Sequence, residues 1–310
     1  MSRVHDALRR AEQMAATPPV QPESAPAAPP SGVPLSGAPP AAVPTEPVRP
    51  GRRALVTPVT GLLEQVQQVP FTPAPEALLL DQNRPQDAPS EEFRSIRTRL
   101  NHLQTLQPIH TVVVTSPSPA EGKSFAAANL ALAESHLAGN LTLLIDFDFR
   151  RPVIHNLFQI ERTPGATDFL LGNAKLADCM KRVAGTNLFL MPAGTAVKNP
   201  LELLNLREVR KLFQDLPQWF NWVILDSPPL LFSADANLLS TLADGTILVV
   251  RIGSTTIDAI TRAMQSLCEN NVLGTIVNGA RAGELYSKYT YYYSKYGQES
   301  VPEPDGEPEK

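Results

Sequence analysis

The run TVVVT at 111–115 stops at Ser116-Pro117-Ser118-Pro119-Ala120-Glu121-Gly122-Lys123-Ser124, and FAAANLALAESHL follows at once. A β-branched apolar run, a loop ending Gly-Lys-Ser and an apolar helical stretch form the context in which a P-loop motif becomes a phosphate site. Backbone N–H groups of Pro119 to Phe125, proline excepted, would point at phosphate oxygens from the loop and the helix N-terminus. Lys123 would reach the outer phosphates, and the Ser124 hydroxyl would bind Mg²⁺. The match to GxxxxGKS/T is imperfect. Pro117 stands where the first glycine belongs, and Ala120 where another is expected; a position needing positive φ would be strained there.

Two further apolar runs end in carboxylates. LTLLIDF at 141–147 leads into Asp146-Phe147-Asp148, and alternation along an extended strand puts Asp146 and Asp148 on one side. WVILD ends at Asp226, as a Walker B strand does. A lone Asp at a strand end is more often a turn or cap residue. Three beside a Gly-Lys-Ser loop predict a Mg²⁺-ATP site, with Ser124, Asp146, Asp148 and Asp226 around the metal.

The same runs set the fold class. Short apolar stretches at 111–115, 141–147, 188–192, 222–226, 246–251 and 275–278 alternate with amphipathic segments. Continuous rather than alternating hydrophobicity marks strands buried on both faces, hence a mostly parallel sheet in a doubly wound α/β fold with ligands at the strand C-termini.

Proline divides the chain. Of 31 prolines, 18 precede residue 90. Val4, Leu8, Ala11 and Met14 recur at helical spacing in a short helix over 2–15. Residues 16–53 are too poor in large apolar groups to offset chain entropy. Residues 54–70 form a small apolar island, read as a docking segment, and 71–89 return to linker. The expected organisation is therefore an N-terminal helix and linker (1–89), a P-loop domain (90–283) opening with Ser90 as N-cap, and a tail (284–310).

Charge and cysteine content exclude other classes. A net charge of −4 argues against general nucleic-acid binding. Cys179 and Cys268 lack metal-site spacing and read as buried free thiols. No apolar run approaches the ~20 residues of a membrane helix, and the N-terminus lacks a signal-like apolar core. A cytoplasmic protein is expected.

All six tyrosines lie between 286 and 296, in YSKYTYYYSKYG: Tyr286, Tyr289, Tyr291, Tyr292, Tyr293 and Tyr296. Such a cluster is a sticky surface, an extra edge strand, or a tail of phosphoryl acceptors; beside a Mg²⁺-ATP site the acceptor reading leads. Each phosphate would add roughly −1.5 to −2 charge.

With SPSPAEGKS, LLIDFDFRRP, VILDSPP, AGTAVKNPLELL and the tyrosine cluster on view, residues 90–296 resemble the bacterial tyrosine autokinases that control capsule and exopolysaccharide synthesis (the BY-kinase, CpsD/CapB group). The resemblance implies phosphate and Mg²⁺ roles for Lys123 and Ser124, second Walker-type positions at Asp146 and Asp148, and a Walker B carboxylate at Asp226. One of Asp146 and Asp148 would position or deprotonate the tyrosine hydroxyl. Glu91, Arg94 and Arg97 match an ExxRxxR helix used for homo-oligomer contacts; a solvated face with i,i+3 ion pairs is the plainer reading. Asn278 is implied at the adenine. The resemblance also implies a separate transmembrane chain-length regulator as activator, placing the chain at the inner membrane through that partner, and a tyrosine phosphatase. The rivals are a partitioning-type ATPase of the MinD/ParA kind, whose signature lysine is replaced here by Ser118, and a nucleotide-binding regulatory adaptor.

Overall fold

A computed structural model describes residues 59–73, 77–81, 89–267 and 272–280. The tyrosine cluster, the 2–15 segment and Cys268 lie outside them. Eight strands form one sheet in the order β1-β4-β5-β3-β6-β2-β7-β8. They are β1 (Gln67–Val69), β2 (Thr111–Thr115), β3 (Thr142–Asp146), β4 (Lys181–Val183), β5 (Leu188–Met191), β6 (Trp222–Asp226), β7 (Gly245–Arg251) and β8 (Val272–Asn278). Neighbours are parallel except β4 and β5. The doubly wound, mostly parallel architecture expected from the apolar runs is the one observed.

Alternate residues of the central strands feed two cores. Val113, Leu143, Ile145, Val223 and Leu225 enter one, with Phe189, Leu212 and Phe213. Val112, Val114, Leu144, Trp222 and Ile224 enter the other, with Phe93, Leu100 and the alanines of the helix after the phosphate loop. Each Val, Leu or Ile so buried contributes about 1.5–3 kcal/mol. The helix Lys123–Ser135 is buried over ten consecutive residues, Ala126 to Ser135. Its small side chains let it lie close to the sheet beneath a second helix, Ser90–Leu106. That second helix starts with Pro89, not Ser90, in the N-cap position, and Ser90 is buried in the first turn.

Residues expected as docking island and linker contribute to this fold. Helix Val59–Glu64 leads into β1, which pairs with β4 from Gln67↔Lys181 to Val69↔Val183. Val66 and Leu80 are core residues, and Phe71 lies against Phe158. The Leu80 N–H donates to the buried Asn129 Oδ1 at 2.8 Å. Among the described residues no helix is long and apolar enough to cross a membrane.

Candidate active site

β2, β3 and β6 finish level with one another: Asp226 is in register with Asp146 on one side and with Val114 on the other. Strand spacing of about 4.8 Å therefore sets two carboxylates next to the loop that leaves β2. That loop carries Ala120 at φ +63° and Gly122 at φ +98°. A left-handed alanine costs roughly 1–2 kcal/mol, so the missing glycine at 120 is a real strain. Pro117 keeps negative φ.

The loop empties into a cavity of about 460 Å³. One side is lined by Pro119, Ala120, Gly122, Lys123, Ser124 and Phe125, the other by Asp148, Arg150, Arg151, Val153, Pro228, Pro229, Phe232 and Ser233. Lys123 Nζ lies 2.9 Å from Asp148 Oδ2 and 3.7 Å from Asp226 Oδ1, and donates to Ser124 Oγ at 3.2 Å. Burial works against its ammonium, but Asp226 and Asp148, with Asp146 behind them, hold its pKa above the ordinary lysine value. Lys123 is charged at any physiological pH.

The three carboxylates have separate surroundings. Asp146 is fully buried; its Oδ1 accepts the Asp148 N–H at 3.1 Å, and its Oδ2 accepts Val153 N–H at 3.0 Å and Ile154 N–H at 3.1 Å. Burial and the facing Asp226 push its pKa up, against those backbone donors and Lys123. Asp146 thus ties the turn after β3 to the short helix Ile154–Leu157. Asp148 uses Oδ1 to accept Arg151 N–H at 3.0 Å and presents Oδ2 to Lys123 and the cavity. Strand alternation predicted a matched pair, but β3 ends at Asp146 and the chain turns, so the two carboxylates have different tasks.

Asp226 is fully buried, and neither carboxylate oxygen has a hydrogen-bond partner. Burial pushes its pKa up to about 6, with Asp148 adding to the effect and Lys123 and Ser124 opposing it. A buried carboxylate beside a phosphate loop, offset by a Lys123 ammonium 3.7 Å away and holding no hydrogen bond, has oxygens free for a further ligand. The residues present fit Mg²⁺, which Asp226 and the Ser124 hydroxyl would hold. Among the described residues no three acidic, imidazole or thiol groups gather into a metal cage. The expected set of Asp146, Asp148 and Asp226 around one ion is therefore not observed, and an ion held by Asp226 and Ser124 alone would take its remaining ligands from water and nucleotide phosphates.

Other expected residues fall elsewhere. Asn278, at the end of β8, gives its side-chain Nδ2 to Glu121 O at 3.0 Å and accepts Gly279 N–H through Oδ1 at 2.8 Å. It braces the phosphate loop and is absent from the cavity lining. Glu91 and Arg94 pair with each other on the exposed face of their helix. Arg97 turns inward, and its Nη1 donates to Ala133 O at 3.0 Å near the end of the neighbouring helix. Cys179 is a buried free thiol whose pKa burial pushes up to about 12, so it is inert. Sequence reasoning missed Arg150, whose Nε donates to the buried Asp235 Oδ2 at 2.9 Å, and the exposed Phe232 at the cavity rim. The Arg150-Arg151 pair in the run FRRP after Asp148 was the available signal.

No protein-family model matches the chain. Tyrosine-protein kinase YwqD of Bacillus subtilis (strain 168) is 35% identical over 213 residues, spanning 68% of this chain and 89% of that one. Among solved structures, the chimerical protein CapA2B2 superposes with a TM-score of 0.61 at 28% identity, covering 71% of this chain and 96% of the other. The kinase domain of Escherichia coli tyrosine kinase ETK gives 0.61 at 26% identity, covering 73% and 83%. A P-loop sheet, a nucleotide-sized cavity and this degree of kinship agree: the chain belongs to the bacterial tyrosine-protein kinases and is a nucleotide-using protein-tyrosine kinase.

Proposed function

We propose that this kinase transfers the γ-phosphate of ATP to the tyrosines of its own C-terminal cluster, Tyr286, Tyr289, Tyr291, Tyr292, Tyr293 and Tyr296, a tail of one subunit entering the site of another. The observation that carries the reading is the buried Asp226, without a hydrogen-bond partner, ion-paired to Lys123 at 3.7 Å and in register with Asp146. Loop N–H groups hold the phosphates, and Lys123 exchanges Asp148 for γ-phosphate oxygens. Mg²⁺, held by Ser124 and Asp226, supplies charge neutralisation of the phosphates. Asp148, released by Lys123 and facing the cavity, takes the phenolic proton. The tyrosine oxygen then bonds to the γ-phosphorus as the β,γ-bridging bond breaks and ADP departs. Asp146, occupied by three backbone donors, positions Asp148 rather than accepting the proton itself.

The same reading extends to partners. Glu91, Arg94 and Arg97 offer an oligomer surface, though Arg97 is half committed to its own subunit. A separate transmembrane regulator of polysaccharide chain length would activate the kinase and hold it at the inner membrane, and a phosphatase would reset the tail. The output is control of capsule or exopolysaccharide synthesis and export.

Purified chain incubated with labelled ATP and Mg²⁺ should incorporate phosphate into tyrosine, and Lys123→Met should lose at least about 100-fold of the rate. Equal labelling of Lys123→Met defeats the assigned site. ATP turnover without phosphotyrosine favours a partitioning-type ATPase, and nucleotide binding without turnover favours an adaptor.

A further inference from the structure

The crest of the phosphate loop is held by a network outside the phosphoryl chemistry. Glu121 precedes Gly122 and Lys123, yet it is only 1% exposed. A carboxylate beside a polyphosphate site would repel its ligand unless donors fix and offset its charge. Its Oε2 accepts the Ser118 N–H at 2.8 Å, and its Oε1 accepts the Thr255 hydroxyl at 2.6 Å. Thr255 Oγ1 in turn accepts Arg251 N–H at 2.7 Å.

Two more donors reach the same stretch of backbone. Arg251 Nη1 donates to Ala120 O at 3.1 Å, and Asn278 Nδ2 to Glu121 O at 3.0 Å. The end of β7, the loop after it and the end of β8 therefore converge on two consecutive residues of the phosphate loop. Those residues need holding. Ala120 is left-handed, and a Cβ at Gly122 would stand 2.0 Å from Asn278 Nδ2. Released from these bonds, the loop would relax away from the conformation that aims its N–H groups inward.

We propose that Glu121 and Thr255 are positioning residues, a latch that preorganises the phosphate loop for nucleotide. The inference rests on the kinase reading of the cavity and adds residues to it. Preorganisation acts on the cost of binding, so loss of the latch is read in ATP affinity more than in the transfer step.

The test uses the full chain and mant-ATP binding beside tyrosine-phosphorylation kinetics. Thr255→Val keeps the shape and removes the donor; Thr255→Ser restores it. Thr255→Val should raise Kd and KM for ATP about tenfold, the size of one hydrogen bond to a charged group, with kcat within about twofold. Thr255→Ser should stay within about twofold of the parent. Glu121→Gln tests the other end of the bond, and should combine non-additively with Thr255→Val. ATP affinity unchanged in Thr255→Val, a Thr255→Ser as weak as Thr255→Val, or a fall confined to kcat would overturn the latch. If Thr255→Val does not fold, a parental KM in Glu121→Gln overturns it. A parent that binds no ATP defeats the kinase reading instead, and the latch with it.

Discussion

At the scale of single residues, Asp226 joins stability to function. Its folded pKa of about 6 stands above the ordinary 3.8, so the native chain holds a proton where the unfolded chain does not. Stability therefore falls as pH rises from about 4 to about 6, and stays lower above that window. Asp226→Asn removes this contribution and leaves that of the buried Asp146 beside it. Without nucleotide or Mg²⁺, the variant should gain on the parent through that interval, by on the order of 2–3 kcal/mol, read as a widening difference in thermal midpoint. A pH-independent difference contradicts the assignment. The same variant should lose at least about 100-fold of the phosphorylation rate. Lys123, Ser124 and Asp226 were legible because a Gly-Lys-Ser loop and an apolar run stopping at one acid are local patterns with one common use. The division of labour between Asp146 and Asp148 was not legible, because it depends on where β3 stops. The Glu121 network was not legible either: its Arg251 and Thr255 members lie more than 130 residues away in the chain.

At the scale of elements, the central strands that could be read were those buried on both faces, and the half-exposed β8 was read only over its last four residues. TVVVT, TLLID, LFLM and WVILD are each buried along their whole length. The two that escaped notice are QQV and KRV, three residues each, at the side of the sheet where polar side chains are tolerated. Their pairing comes from tertiary contact, which no local pattern encodes. The segment around β1 should consequently behave as part of the core. Leu80→Ala should cost about 2–4 kcal/mol in denaturant unfolding. A residue in a mere linker would change stability by less than about 0.5 kcal/mol, and such a value would contradict the packing described here.

At the scale of the whole molecule, the doubly wound class was legible from alternation alone, whereas the strand order had to be observed. Crossing from β2 over β6 to β3 places the Asp146 turn and Asp226 side by side facing the phosphate loop. On the proposed function, that arrangement serves a tyrosine tail from another subunit, and six phosphates would add on the order of −10 charge to a chain that starts at −4. Like-charge repulsion then loosens the assembly as the tail fills. The direct measurement mixes Lys123→Met chain with a chain whose six tyrosines are replaced by phenylalanine, adds ATP and Mg²⁺, and maps phosphotyrosine by mass spectrometry. Phosphate on residues 286–296 of the Lys123→Met chain is the predicted result; a Lys123→Met chain that stays unmodified there contradicts transfer between subunits.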